Sequence, residues 1–245
     1  MVINVHGGHN RIVPGASGYL DEVTEDRAVT AQVIAKLKAL GHTVYDCTDD
    51  SGRTQGQNLA NIVHACNAHA ADLDVSIHLN SGGGTGTEVL VYSDTGEAAG
   101  YAVKICAAIS ELGYRNRGVK ERKALYVLRR TTAPALLVEC CFVDSAADAQ
   151  RFDADKMAAA IVRGITGQTA AQTGAAPAQQ TGYHVRITAS VLNVRRDHSA
   201  SSAVATQVRR GEVYTIVAEY NNGGTMWGKL KSGAGWIALN YTQCV

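Results

Sequence analysis

The sequence lacks an excess of charge of either sign: 23 Lys and Arg stand against 22 Asp and Glu, a formal net charge of +1. That excludes the broad basic field that attracts nucleic acid, so no nucleic-acid partner is expected. The densest basic run, Arg115, Arg117, Lys120, Arg122 and Lys123, reads as a solvated loop or a substrate rim. Also missing is any apolar run near the roughly 18 to 20 residues of a membrane span, so no membrane partner is expected. No basic segment with a following apolar stretch opens the chain, because Met1 leads directly into Val2-Ile-Asn-Val. The expectation is synthesis in the cytoplasm without a signal peptide. The six cysteines, Cys47, Cys66, Cys106, Cys140, Cys141 and Cys244, contain no C-x-x-C pair and match no zinc-finger spacing. They read as small buried hydrophobes, and adjacent Cys140 and Cys141 on a strand should point to opposite faces. A nucleophilic Cys140 or Cys141 with a histidine base is the alternative reading.

What is present describes a globular chain in two parts. Hydrophobic residues account for 46% and charged residues for 18%, ordinary values for a folded protein. Residues 168–181 read QTAAQTGAAPAQQT, without charge or aromatic side chains. Such a stretch buries too little apolar surface to offset its ordering entropy and is expected to be a flexible linker. It separates an expected domain over 1–167 from a second over 182–245. All three prolines fall at or before Pro177, and both tryptophans, Trp227 and Trp236, fall after it.

In the first part, strand-like and helix-like segments alternate. Val2-Ile-Asn-Val, Thr43-Val-Tyr, Val75-Ser-Ile-His, Glu88-Val-Leu-Val-Tyr, Leu125-Tyr-Val-Leu and Ala135-Leu-Leu-Val-Glu are candidate strands. Ala28, Val29, Val33, Ile34, Leu37 and Leu40 have helical spacing ending at Gly41, and Leu59, Ile62, Val63 and Cys66 mark a second helix. Further helices fit Ala98 to Leu112 and Ala146 to Ile165. This order predicts an α/β fold: an open, mixed, mostly parallel sheet with helices on both faces. The Gly-rich loop between the Val75 and Glu88 strands is too short for a crossover helix, which predicts an antiparallel component. After the linker come short strands only, at Tyr183–Ser190, Leu192–Arg195, Glu212–Tyr220, Trp227–Lys231 and Gly235–Leu239. That pattern predicts a small all-β, SH3-like barrel.

Four side chains of the first part carry chemistry. His9 follows the first strand, Glu22 precedes the first long helix, His78 ends the Val75 strand, and Glu139 ends the most apolar strand. Ligands in open α/β sheets collect beyond the carboxyl ends of the strands, so these positions can converge. Two imidazoles and one carboxylate make the ligand set of a catalytic zinc with a fourth position left for water, and a second carboxylate can take that water's proton. Four apolar residues lead into Glu139, so its carboxylate should be desolvated and its pKa raised. A strand-terminal acid paired with Arg129 or Arg130 is the structural alternative.

These segments resemble the zinc-dependent N-acetylmuramoyl-L-alanine amidases of autolysins and phage endolysins. The resemblance rests on Gly8-His9, Pro14-Gly-Ala-Ser-Gly18, Glu22, Ser76-Ile-His-Leu-Asn80 and Leu137-Val-Glu-Cys-Cys-Phe142, with support from Arg117-Gly-Val-Lys and Leu125-Tyr-Val-Leu-Arg. It covers roughly residues 1–167. It implies zinc held by His9, Glu22 and His78, Glu139 as the catalytic acid–base, and bacterial peptidoglycan as the partner. Two ligand positions have competitors: His6 stands beside His9 in His6-Gly-Gly-His, and Glu25 lies one turn after Glu22. The second part resembles bacterial SH3-type wall-binding domains at Leu192-Asn-Val-Arg, Arg210-Gly-Glu-Val-Tyr and Gly235-Trp-Ile, which implies adhesion to peptidoglycan peptides. Tyr183, Trp227 and Trp236 are candidates for an aromatic groove or for core. A wall-lytic enzyme without an export signal fits a phage or prophage endolysin released when a holin opens the membrane.

Overall fold

The computed structural model describes residues 1–168, 183–200, 202–222 and 225–245. The chain divides into two compact units, Met1–Gln172 and Thr173–Val245. The expected linker, 168–181, lies outside the described residues except for Gln168. Among the described residues no helix is long and apolar enough to cross a membrane.

The first unit is built on six strands: β1 (Val2–Gly7), β2 (Thr43–Asp46), β3 (Leu73–Asn80), β4 (Thr87–Val91), β5 (Asn116–Glu121) and β6 (Ala135–Phe142). Their spatial order is β2-β1-β3-β6-β4-β5. Every pairing is parallel except β4 with β6. The short connection after β3 therefore does produce a reversal, but β6 is inserted between β3 and β4.

Period-two alternation distributes the side chains between two cores. Ile3, Val5, Leu73, Val75, Ile77, Leu79, Leu136 and Val138 enter the larger one, beneath α1 (Glu22–Ala39), α3 (Glu97–Ser110) and α6 (Ala154–Thr166). The opposite face packs Leu90, Ala135 and Leu137 against α2 (Gln55–Asn67) and α4 (Tyr126–Arg130). Helix α1 begins where Asp21 accepts the Thr24 N–H and two acids, Glu22 and Glu25, meet the positive end of the helix dipole. Val29, Val33 and Leu37 of α1 are fully buried, each worth about 1.5–3 kcal/mol. Helix α6 approaches α3 closely because Gly164 has no side chain; a Cβ there would lie 2.6 Å from the Ile105 Cα.

Several expectations are corrected. Leu125-Tyr-Val-Leu is not a strand: Leu125 precedes α4, and consecutive Val127 and Leu128 are both buried against α2. A run of four apolar residues does not distinguish strand from helix by periodicity. The single helix over 146–165 is two, α5 (Ala146–Arg151) and α6, because the Asp153 carboxylate caps α6 by accepting from the Asp155 and Lys156 N–H groups. Glu139 lies inside β6 rather than at its end. Between Glu139 and Phe142 the strand carries one extra residue opposite His78–Asn80. This bulge breaks the alternation, so Cys140 and Cys141 both lie in the larger core instead of on opposite faces. Burial raises both thiols' pKa, which removes the thiolate that a cysteine nucleophile needs. All six cysteines are free.

The second unit is a seven-stranded sheet in the order β13-β7-β10-β11-β12-β8-β9, with every pairing antiparallel. Its strands are β7 (Tyr183–Ile187), β8 (Val191–Arg195), β9 (Val204–Arg209), β10 (Val213–Asn222), β11 (Thr225–Leu230), β12 (Trp236–Ala238) and β13 (Thr242–Cys244). The core includes Val185, Ile187, Val194, Ile216, Leu230 and Ile237. Trp227 is buried, whereas Tyr183 and Trp236 are partly exposed.

Candidate metal centre

The face of the first sheet that carries α2 and α4 becomes polar toward the carboxyl ends of β1, β3 and β6. Alternation that sends Ile77 and Leu79 into the larger core turns His78 to this face, and Glu139 is its register partner on β6. Glu88, at the start of the reversed strand β4, is the register partner of Glu139 on the other side. His78, Glu139 and Glu88 therefore form one transverse row across three strands.

His9 comes from the loop after β1 and has φ 49, in the left-handed region that a non-glycine residue seldom occupies. Glu22 is the first residue of α1 and is buried. Among the described residues, His9, Glu22 and His78 form a group of metal-capable side chains whose donor atoms all lie within 4.8 Å of one another. Glu22 Oε1 lies 3.1 Å from His78 Nδ1 and 3.7 Å from His9 Nε2. It also accepts the Leu79 N–H at 3.2 Å, while Oε2 accepts the Ala16 N–H at 2.8 Å. The carboxylate is thus held by two backbone donors and aimed by them. The two imidazole rings meet edge to face, with centroids 5.3 Å apart.

Two glycines leave the space in which these rings sit. A Cβ on Gly8 would lie 1.9 Å from His78 Cε1, and one on Gly15 would lie 2.2 Å from Glu22 Oε2 and 2.8 Å from His9 Cδ2. The competitors lie elsewhere. His6 is fully enclosed with Nδ1 near the Gly7 carbonyl and the Ser76 hydroxyl, and burial lowers its pKa to about 4. Glu25 is outside the donor group.

Charge is distributed unevenly over the row. Burial opposes ionisation of Glu22, but the His78 hydrogen bond, the nearby imidazoles and the Ala16 N–H outweigh it and lower its pKa. Burial also opposes the His78 cation, but the Glu22 hydrogen bond and the charges of Glu139, Glu22 and Asp26 raise its pKa. Glu139 behaves in the opposite way: burial, reinforced by Glu22 and Glu88, raises its pKa to about 7 against the pull of His78. Its Oε2 is shielded from solvent and has no hydrogen-bond partner. No ion pair joins Glu139 to Arg129 or Arg130 among the described residues; the acid that pairs with an arginine is Glu88, 2.8 Å from Arg117 Nε and 3.0 Å from Asn80 Nδ2. Glu88 was not a candidate from the sequence, although an acid opening an otherwise apolar strand was a visible signal; Arg117 belongs to the basic run read as a solvated loop or substrate rim.

The donor set fits zinc. Two neutral-capable imidazoles and one ionised carboxylate converge with backbone hydrogen bonds behind the carboxylate, and a carboxylate oxygen without a partner lies in the same row. The raised Glu139 pKa has a measurable consequence for the metal-free protein. The acid is protonated in both folded and unfolded chains below pH 4.5, and above about pH 7 the folded state must hold it ionised at a cost. A rise from 4.5 to about 7 corresponds to about 3 kcal/mol. Glu139→Gln should therefore be the more stable protein at pH 8 in denaturant unfolding, with the advantage growing between pH 4.5 and 7 and absent at pH 4. An equal difference at both pH values would show that the carboxyl is not desolvated.

Residues 1–167 match the N-acetylmuramoyl-L-alanine amidase family. An uncharacterised protein of Clostridium perfringens is 38% identical over 154 residues, covering 60% of this chain and 45% of that protein. The chain thus spans less than half the length of that relative. The sporulation-specific N-acetylmuramoyl-L-alanine amidase of Bacillus subtilis is 30% identical over 209 residues, covering 83% of this chain and 80% of that protein. Among solved structures, the catalytic domain of the CD27L endolysin targeting Clostridia difficile superposes with a TM-score of 0.65 at 26% identity, covering 69% of this chain and 98% of that one. The chain belongs to the N-acetylmuramoyl-L-alanine amidase family.

Proposed function

We propose that the chain is a zinc-dependent peptidoglycan hydrolase that cleaves the amide bond between N-acetylmuramic acid and the L-alanine of the stem peptide. The observation that carries this reading is the convergence of His9, Glu22 and His78 beside Glu139 in a chain of this family. His9, Glu22 and His78 would hold the metal. Zinc at such a site supplies Lewis-acid polarisation of the carbonyl and a water acidic enough to attack near neutral pH.

The remaining work belongs to the chain's own groups. Glu139, with Oε2 free of partners, accepts the proton of the attacking water and delivers it to the departing L-alanine nitrogen. Burial, reinforced by Glu22 and Glu88, raises its pKa in the metal-free protein, the direction that lets one carboxyl both take and release a proton. The His78 hydrogen bond and charge, with the Ala16 N–H, keep Glu22 ionised, and the Ala16 and Leu79 N–H groups hold its two oxygens in place.

The second unit is read as a bacterial SH3-type domain that holds the enzyme on peptidoglycan peptides and raises the local substrate concentration. The likeness to endolysins supports action at the cell wall after release by a non-signal route. Mass spectrometry of digested peptidoglycan tests the activity: stem peptides with a new free N-terminal L-alanine are expected. Cleavage between stem-peptide residues would replace the amidase by a peptidase, and intact muropeptides would leave only a binding protein.

A further inference from the structure

His9 occupies a strained backbone conformation in a loop with little regular structure, and a ligand so placed needs something to hold it. Arg27, in the second turn of α1, reaches under this loop. All four terminal N–H directions of its guanidinium have an acceptor. Nη1 donates to the Gly8 carbonyl at 2.8 Å and to Asp26 Oδ1 at 2.7 Å; Nη2 donates to the His9 carbonyl and to Asp50 Oδ1, both at 2.8 Å. The planar fork thus joins two consecutive carbonyls of the loop to a carboxylate of α1 and another from the segment after β2.

Two neighbours are shaped around this contact. A Cβ on Gly7 would lie 2.2 Å from Nη1 and 2.9 Å from Asp26 Oδ1, so the guanidinium passes through space that only glycine leaves. Asn58 of α2 adds a longer N–H contact to the same His9 carbonyl, at 3.4 Å. Asp26 is fully buried one turn after Glu22 on the same helix, so Arg27 and Asp26 tie the segment that carries Glu22 to the segment that carries His9.

We propose that Arg27 is a positioning residue for the metal centre: by gripping the Gly8 and His9 carbonyls it fixes the His9 backbone at φ 49 and holds the imidazole in register with Glu22 and His78. The inference rests on the zinc reading above. Lysine keeps the charge but has no planar fork with which to bridge two carbonyls and two carboxylates. Groups that orient metal ligands from outside typically carry about 10- to 100-fold in affinity.

The test measures zinc Kd by chelator competition on folded, metal-free protein, together with the melting temperature of that metal-free form. Arg27→Lys should weaken zinc by about 10- to 100-fold. A purely structural role would lower the melting temperature and leave the Kd of the folded molecules unchanged, so wild-type Kd in folded Arg27→Lys overturns the proposal. Should Arg27→Lys fail to fold, Asp50→Ala decides. The Asp50 side chain is 67% exposed and holds only one corner of the fork, so its loss spares the fold and should weaken zinc by about 2- to 5-fold. Unchanged affinity there overturns the proposal. Wild-type protein that binds no zinc would instead defeat the metal reading itself, a separate outcome.

Discussion

Glu139→Gln should fold, take up zinc as the unaltered protein does, and lose about 10²- to 10⁴-fold in kcat, the range that a positioned acid–base group contributes. Glutamine preserves the shape of the side chain and its place opposite His78 but can neither accept the proton of water nor return it to the leaving nitrogen. The Oε2 atom makes no hydrogen bond in the structure, so the substitution breaks no contact there. KM should change little, because the effect belongs to the chemical step. Turnover measured as amine release, alongside zinc stoichiometry, separates the outcomes. Near-normal turnover would remove Glu139 from the chemistry, and loss of bound zinc would make it a ligand instead.

The second large effect distinguishes the two histidines of the first loop. His9→Ala should lose zinc affinity by more than about 100-fold, beyond the range of a supporting residue, because it deletes one of three donors. His6→Ala should retain zinc, because the His6 ring is enclosed near the Gly7 carbonyl and Ser76 and is not one of the three converging donors. Its cost is a cavity beneath the sheet, seen in unfolding rather than in metal content. Metal analysis after dialysis reads both variants, and the reverse pattern would transfer the ligand role to His6.

How much of this was legible depended on whether a signal was local. Alternation in Val75-Ser-Ile-His and the run Ala135-Leu-Leu-Val announced buried strands, and the spacing Val29, Val33, Leu37 announced α1. Strands β5 and β9 escaped notice because they bury too little to leave an apolar pattern: only Val208 of β9 is buried, and no residue of β5 is. The break at Asp153 and the bulge at Cys140–Cys141 follow from a cap and from a register slip that hydrophobic pattern does not encode.

The site divides in the same way. Histidines and acids at strand ends stand out in a sequence because their chemistry is unusual there. Arg27 reads as an ordinary helix cation, and its importance is visible only when Gly7 leaves a passage and two carbonyls from the preceding loop turn toward it. Glu88 likewise acquires meaning from a strand order that pairs it with Glu139.

That strand order also governs when the row of His78, Glu139 and Glu88 can exist during synthesis. The last strand of the sheet to be made, β6, lies in its middle. A nascent chain ending before Ala135 holds β2-β1-β3 and β4-β5 as separate pieces, with no partner to bring Glu88 across from His78. Both seams close only when residues 135–142 insert between them. Ordering such distant segments is slow relative to local helix formation. Completion of the row is therefore a threshold in chain length: a product ending before Ala135 carries His9, Glu22, His78 and Glu88 but lacks Glu139, which stands between the last two.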